Sequence, residues 1–189
     1  MPYSFRRLRI RDVILVEAQT FKDDRGFFVE TYKQSEFAAN GIPVAFVQDN
    51  YVHSIQGVVR GLHYQIPPKS QAKLIAVARG EIFDVAIDIR SGSPTYGQWV
   101  GDILSDKNHH QLFMPVGFAH GYCVTSDWAD VSYKVSDEYS PDHERGIAWN
   151  DPDVAIPWPV KRPLVSPRDS ALPFLSAAEG HFVFQRFLG

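Results

Sequence analysis

A single cysteine, Cys123, in 189 residues excludes an intramolecular disulfide. No apolar run approaches the roughly 20 residues that a membrane-spanning helix requires. The N-terminal stretch, charged at Arg6, Arg7, Arg9 and Arg11, lacks the apolar centre of a signal peptide. A reducing, cytoplasmic location is therefore expected. A net charge of −3 and a pI near 6.1 provide no global attraction for nucleic acid or an anionic membrane, so any anion must be held by a local arginine cluster. Internal repeats and low-complexity runs are absent. Helical periodicity is scarce: Gln34–Asn40 before Gly41 suits two turns, and the weaker run Ser170–Glu179 contains Pro173.

What the chain does have is punctuation. Thirteen glycines and thirteen prolines separate short extended runs, which predicts an all-β sandwich, jelly roll or small barrel. The length suits one domain spanning 1–189, with a core large enough to need no staples. In Glu81–Arg90, Phe83, Val85, Ile87 and Ile89 fall on one face, and Asp84, Ala86, Asp88 and Arg90 on the other. Before it, Lys73–Ala78 runs into Arg79-Gly80, which predicts a hairpin between these two strands. Further strands are expected at Gln98–Leu104 and Asp130–Val135, with "MPVGFAHGY" (Met114–Tyr122) re-aiming the chain before Cys123-Val124. From Asn150 the sequence is proline-dense and tryptophan-bearing, and reads as an ordered arm over the barrel, because Val154, Ile156, Trp158 and Leu164 need burial.

Seven histidines are present. His63 and His120 each sit beside glycine in apolar surroundings ("GLHYQ", "FAHGY"), as a structural histidine, a ligand or a base would. A metal cage is disfavoured. No His-x-His pair with a following carboxylate occurs, His109 and His110 point to opposite faces if extended, and Lys73 would repel a cation. Strict alternation in "VVRGLHYQ" puts Arg60, Leu62 and Tyr64 on one face and Gly61, His63 and Gln65 on the other. Arg60 and His63 can then meet one ligand only if Gly61 sits in a bulge or the strand ends there. Arg25 and Arg60, each followed by glycine, suit either solvated turns or a bidentate grip on a diphosphate. Glu30 and the amides of "QDN" (Gln48 to Asn50) could bond a base edge. Tyr133 fits a core tyrosine or a proton donor, and Asp169 in "SPRDS" a helix cap or a carboxylate partner.

Together these segments carry a resemblance. "DDRGFFVETY", "FVQDN", "RGLHYQ", "QAKL", "RGEIFDVAIDIR", "SPTYGQWVG", "MPVGFAHGY", "YKVSDEYSPDHERGIAWNDPD" and "SPRDS" run in order from about Val13 to Leu175. They resemble the dTDP-4-dehydrorhamnose 3,5-epimerase family of deoxysugar biosynthesis. The resemblance implies a cupin-type jelly-roll β-barrel with a few short helices, a homodimer, no metal or other cofactor, and a dTDP-linked 4-keto-6-deoxyhexose as the substrate within the barrel. It makes His63 the base, Asp169 its orienting partner, Lys73 the cation beside the ketone oxygen and Tyr133 the opposed acid. His120 would line the sugar pocket, and Arg25, Phe28, Glu30, Gln48, Asn50, Arg60 and Tyr139 would hold the nucleotide diphosphate, with Arg25, Phe28 and Glu30 reaching in from the partner subunit. Glu144 and Arg168 complete the substrate contacts. The chain departs from the family at Tyr51, where histidine often follows "QDN", at Ala76, where a basic residue is common, and in the extension "HFVFQRFLG". A single-site epimerase, a non-catalytic nucleotide-sugar-binding barrel and a metal-dependent barrel enzyme are the rival readings.

Overall fold

The expected short strands form and pair antiparallel throughout, in a computed structural model describing residues 2–178 and 180–185. In chain order they are β1 (Tyr3–Arg7), β2 (Ile14–Ala18), β3 (Thr20–Asp23), β4 (Gly26–Val29), β5 (Gln48–Ile55), β6 (Val59–Gln65), β7 (Lys73–Arg79), β8 (Glu81–Asp88), β9 (Trp99–Ser105), β10 (His110–Met114), β11 (Phe118–Val124), β12 (Trp128–Val135) and β13 (Glu144–Gly146). Two short helices accompany them, α1 (Gln34–Ala39) and α2 (Pro167–Ser170). A six-stranded sheet, β1-β2-β10-β7-β12-β5, packs on a five-stranded sheet, β13-β6-β11-β8-β9, and β3-β4 form a separate hairpin. This is the jelly-roll barrel of the cupin type.

Three apolar clusters hold the layers. Leu15, Ile75 and Val131 of the larger sheet meet Ile82, Ala86 and Val124 of the smaller one between the sheets. Phe37 of α1 packs with Ile14, Val16, Leu74 and Phe113 on the outside of the larger sheet. On the outside of the smaller sheet, Val85, Ile87 and Leu62 are covered by Val154, Ile156, Trp158, Leu175 and Phe182 of the C-terminal arm. Trp158 Nε1 donates to the Trp149 carbonyl at 2.7 Å, so the indole buries its ring without orphaning its N–H. Leu164, by contrast, is exposed and joins the barrel through backbone pairing with Val58.

Several expectations need correction. Lys73–Arg79 and Glu81–Asp88 are not a hairpin: β7 pairs with β10 and β12, while β8 pairs with β11 and β9. Gly80, at φ +81° and with no room for a Cβ against the Trp128 carbonyl, is the corner where the chain passes from one sheet to the other. The break in "MPVGFAHGY" is confined to Pro115–Gly117, since Phe118–Val124 is one continuous strand. The Ser170–Glu179 run is not one helix. α2 ends at Ser170, a single 3₁₀ turn follows at Leu175–Ala177, and Glu179 lies outside the described residues, as does the end of "HFVFQRFLG" from Arg186. Among the described residues, no helix is long and apolar enough to cross a membrane.

Candidate active site

The alternation problem in "VVRGLHYQ" is resolved at Gly61. Opposite β11, His63 faces His120 but Arg60 faces Tyr122, so β6 spends one more residue than its partner over this interval. Gly61 takes φ +122°, and a Cβ there would lie 2.6 Å from Gly121 Cα, so glycine is required on both counts. Leu62 and Tyr64 consequently turn outward into the arm's cluster, while Arg60, His63 and Gln65 line one cavity of about 370 Å³ between the sheets.

His63 Nε2 lies 2.8 Å from Asp169 Oδ1, and the other carboxylate oxygen accepts the Gly61 amide at 3.1 Å. Asp169 is held in turn by α2, whose N-cap Ser166 accepts the Asp169 amide at 3.0 Å. Burial pushes the Asp169 carboxyl up, but His63 and the Gly61 amide outweigh it and leave it below the ordinary carboxylate range. Asp169 therefore accepts the Nε2 hydrogen, and Nδ1 is the nitrogen left to take a proton. Its expected alternative as a cap goes to Ser166.

The opposite sheet supplies Lys73 from β7 and Tyr133 from β12, both lining the same cavity. Lys73 is 8% exposed and donates to the His63 carbonyl at 3.1 Å. Desolvation lowers its pKa to about 8, against the opposing fields of Glu144 and Asp84. Burial and the Glu144 charge raise the Tyr133 phenol, keeping it protonated and able to donate. His120 stands beside His63 on the smaller sheet; burial lowers its pKa, although Asp84, 2.7 Å from Nε2, pulls it upward.

Towards the mouth, Gln48 Nε2 donates to Asn50 Oδ1 at 2.8 Å and Gln48 Oε1 accepts the Tyr139 amide at 2.8 Å. Tyr139 Oη donates to Glu144 Oε2 at 2.6 Å, and Arg168 pairs with the same oxygen at 2.6 Å. Burial raises the Glu144 carboxyl, but these partners more than offset it. Arg60, anchored through Nε to Ser54 Oγ at 3.0 Å, adds a second guanidinium to the cavity lining. The expected residues Gln48, Asn50, Arg60, His63, Lys73, His120, Tyr133, Tyr139, Glu144 and Arg168 thus all line one space, with Asp169 directly behind His63.

Arg25, Phe28 and Glu30 do not join them within one chain. Arg25 pairs with Asp23 at 2.6 Å on the exposed β3-β4 turn, Phe28 is 65% exposed, and Glu30 accepts from Tyr3 Oη at 3.0 Å. Sequence reasoning also missed Asp84. Its position on the polar side of β8 was legible, but that side faces inward, where Asp84 is fully buried. His109 and His110 line no part of this cavity, and among the described residues no three His, Cys, Asp or Glu side chains gather as a metal would need.

The family model of dTDP-4-dehydrorhamnose 3,5-epimerase matches residues 7–177. The protein of that name from Pseudomonas aeruginosa is 54% identical over 165 residues, covering 86% of this chain and 91% of the relative. A dTDP-4-dehydrorhamnose 3-epimerase of Streptomyces niveus is 41% identical, covering 92% of this chain and 84% of its own length. The crystal structure of the Legionella pneumophila dTDP-6-deoxy-D-glucose-3,5-epimerase in complex with dTDP-4-keto-L-rhamnose superposes with a TM-score of 0.94 at 42% identity, covering 97% of this chain and 100% of that one. With the cavity, the two-sheet barrel and these matches in agreement, the chain belongs to the dTDP-4-dehydrorhamnose 3,5-epimerase family.

Proposed function

We propose that the protein is a carbohydrate epimerase that converts dTDP-4-dehydro-6-deoxy-D-glucose to dTDP-4-dehydro-L-rhamnose by inverting C3 and C5. The observation that carries this reading is that His63 and Tyr133 project into one cavity from facing sheets. A C4 ketone acidifies the protons on C3 and C5, and inversion needs a base on one side of the sugar ring and an acid on the other. His63 Nδ1 takes the proton while Asp169 holds the Nε2 hydrogen and stabilises the cation that forms. The electron pair left on carbon moves onto the ketone oxygen, where the Lys73 ammonium favours the developing charge. Tyr133 then delivers a proton to the opposite face, and solvent returns both groups to their starting states. The substrate's own ketone is the electron sink.

Tyr139, Gln48, Asn50, Arg60, Glu144 and Arg168 are assigned to the nucleotide diphosphate and His120 to the sugar. Arg25, Phe28 and Glu30 are assigned to the same nucleotide from a partner subunit of a homodimer. The exposed aromatic hairpin supports that assignment, with Phe21, Phe27 and Phe28 48%, 62% and 65% exposed. Residues 1–189 act as one domain, in a cytoplasm whose reducing conditions suit the lone Cys123. Single-site inversion is the second reading, favoured by the 41% identity to a 3-epimerase. Incubating the 4-keto sugar nucleotide in D₂O and locating deuterium by NMR tests both: label at C3 and C5 supports double inversion, label at one carbon supports the second reading, and no exchange defeats the enzyme reading.

A further inference from the structure

Beneath the cavity lies a second imidazole–carboxylate pair. His120 and His63 are directly opposed on β11 and β6, and each presents Nε2 to a buried carboxylate, Asp84 at 2.7 Å and Asp169 at 2.8 Å. Asp84 is fully buried on β8, and its Oδ2 has no hydrogen-bond partner among the described residues. A barrel floor packed only for stability would place an apolar side chain at this position, as it does at Ala86 two residues on.

We propose that Asp84 is a positioning residue for the epimerisation, fixing the His120 ring so that its Nδ1 lone pair accepts a hydrogen from a hydroxyl of the sugar while His63 works on the adjacent carbon. This rests on the epimerase reading. An imidazole held at one nitrogen by a carboxylate has its tautomer and ring plane set, as outer partners set them for metal-bound and catalytic histidines. The Asp84 charge also reaches Lys73, whose ammonium it supports against desolvation. Burial holds the Asp84 carboxyl above the ordinary carboxylate range, and the fields and hydrogen bond of His120, with Lys73 behind them, offset part of that rise. The groups facing this pair are His63, Lys73, Tyr122 and Tyr133, and of these the Lys73 ammonium is the cation that favours the carboxylate form of Asp84.

The test is a double-mutant cycle with Asp84→Asn and His120→Gln. Asp84→Asn is expected to lower kcat 10- to 100-fold, with KM and the affinity for dTDP alone within threefold, because the nucleotide contacts are elsewhere. The double variant should lose no more than His120→Gln alone, since Asp84 acts through that ring. An Asp84→Asn enzyme within twofold of the parent, or additive losses, would overturn the inference. A ¹⁵N-imidazole spectrum of the unmodified protein keeps it testable even where Asp84→Asn does not fold: His120 is expected as the Nε2–H tautomer from pH 6 to 8, and the Nδ1–H form contradicts it. Failure of the parent protein to exchange C–H protons would end the epimerase reading instead, whereas normal exchange with an indifferent Asp84→Asn ends only this one.

Discussion

Replacing Lys73 with methionine should stabilise the protein while disabling it. Lys73 is 8% exposed, and its pKa falls from 10.5 to about 8. At about 1.4 kcal/mol per pKa unit, holding the charge inside the barrel costs the native state on the order of 3 kcal/mol at neutral pH. The fields of Glu144 and Asp84 are already within that net value. Below about pH 8 the native and unfolded chains both carry the proton and the penalty is complete. Between about 8 and 10.5 the unfolded chain still binds a proton that the native chain has released, so this group makes stability rise with pH. Methionine removes the penalty at neutral pH and keeps the stem's packing, but loses the 3.1 Å hydrogen bond to the His63 carbonyl, worth about 1 kcal/mol. A net gain of about 1–3 kcal/mol follows, which for a chain of this length raises Tm by several degrees, at about 2–4 °C per kcal/mol. Urea denaturation at pH 7 and calorimetry measure it. Turnover should fall about 10²–10³-fold, as when an oxyanion donor is removed, and the unmodified enzyme should lose activity on the alkaline side near pH 8. A Lys73→Met protein less stable than the parent would refute the assignment of Lys73 as a buried cation retained for chemistry.

Other expectations follow from the same geometry. Asp169→Asn should cut kcat by about 10²–10⁴ with dTDP affinity unchanged, because the amide favours the wrong His63 tautomer; pre-steady-state rates and calorimetric titration would measure it. Gly121→Ala would place a methyl 2.7 Å from the Arg60 carbonyl and 2.8 Å from Leu62 Cδ2, and should destabilise the fold by about 1–3 kcal/mol and weaken nucleotide binding by shifting Arg60. Arg60→Ala should raise the Kd for dTDP about tenfold or more while leaving Tm within a few degrees, since Arg60 is an exposed residue and the loss of one hydrogen bond to Ser54 is small.

Much of the barrel was legible because period-two alternation and glycine breaks are local signals. Val85, Ile87 and Ile89 share a face as the sequence implied, and α1 begins and ends within one residue of the expected run. What local pattern could not carry was pairing. Arg79-Gly80 reads equally well as a hairpin turn and as a corner, and only the distant strands β10, β12, β9 and β11 decide that β7 and β8 part company. The bulge at Gly61 was visible as a requirement, but the glycine that accommodates it, Gly121, is 60 residues along the chain and on another strand. His63, Lys73, Tyr133 and Asp169 were found through a resemblance of whole segments, because no spacing rule links residues drawn from β6, β7, β12 and α2. Asp84 escaped for the opposite reason: an aspartate alternating with apolar residues usually faces water, and here its side of the strand faces the cavity floor.

The central claim is that His63 removes and Tyr133 returns the proton from opposite faces of the sugar, and deuterium exchange by the two single variants tests it most directly. His63→Ala should abolish C–H exchange at C3 and C5, while Tyr133→Phe should still exchange protons through His63 yet yield no inverted sugar. Inversion by Tyr133→Phe at the parental rate, or undiminished exchange by His63→Ala, would contradict it.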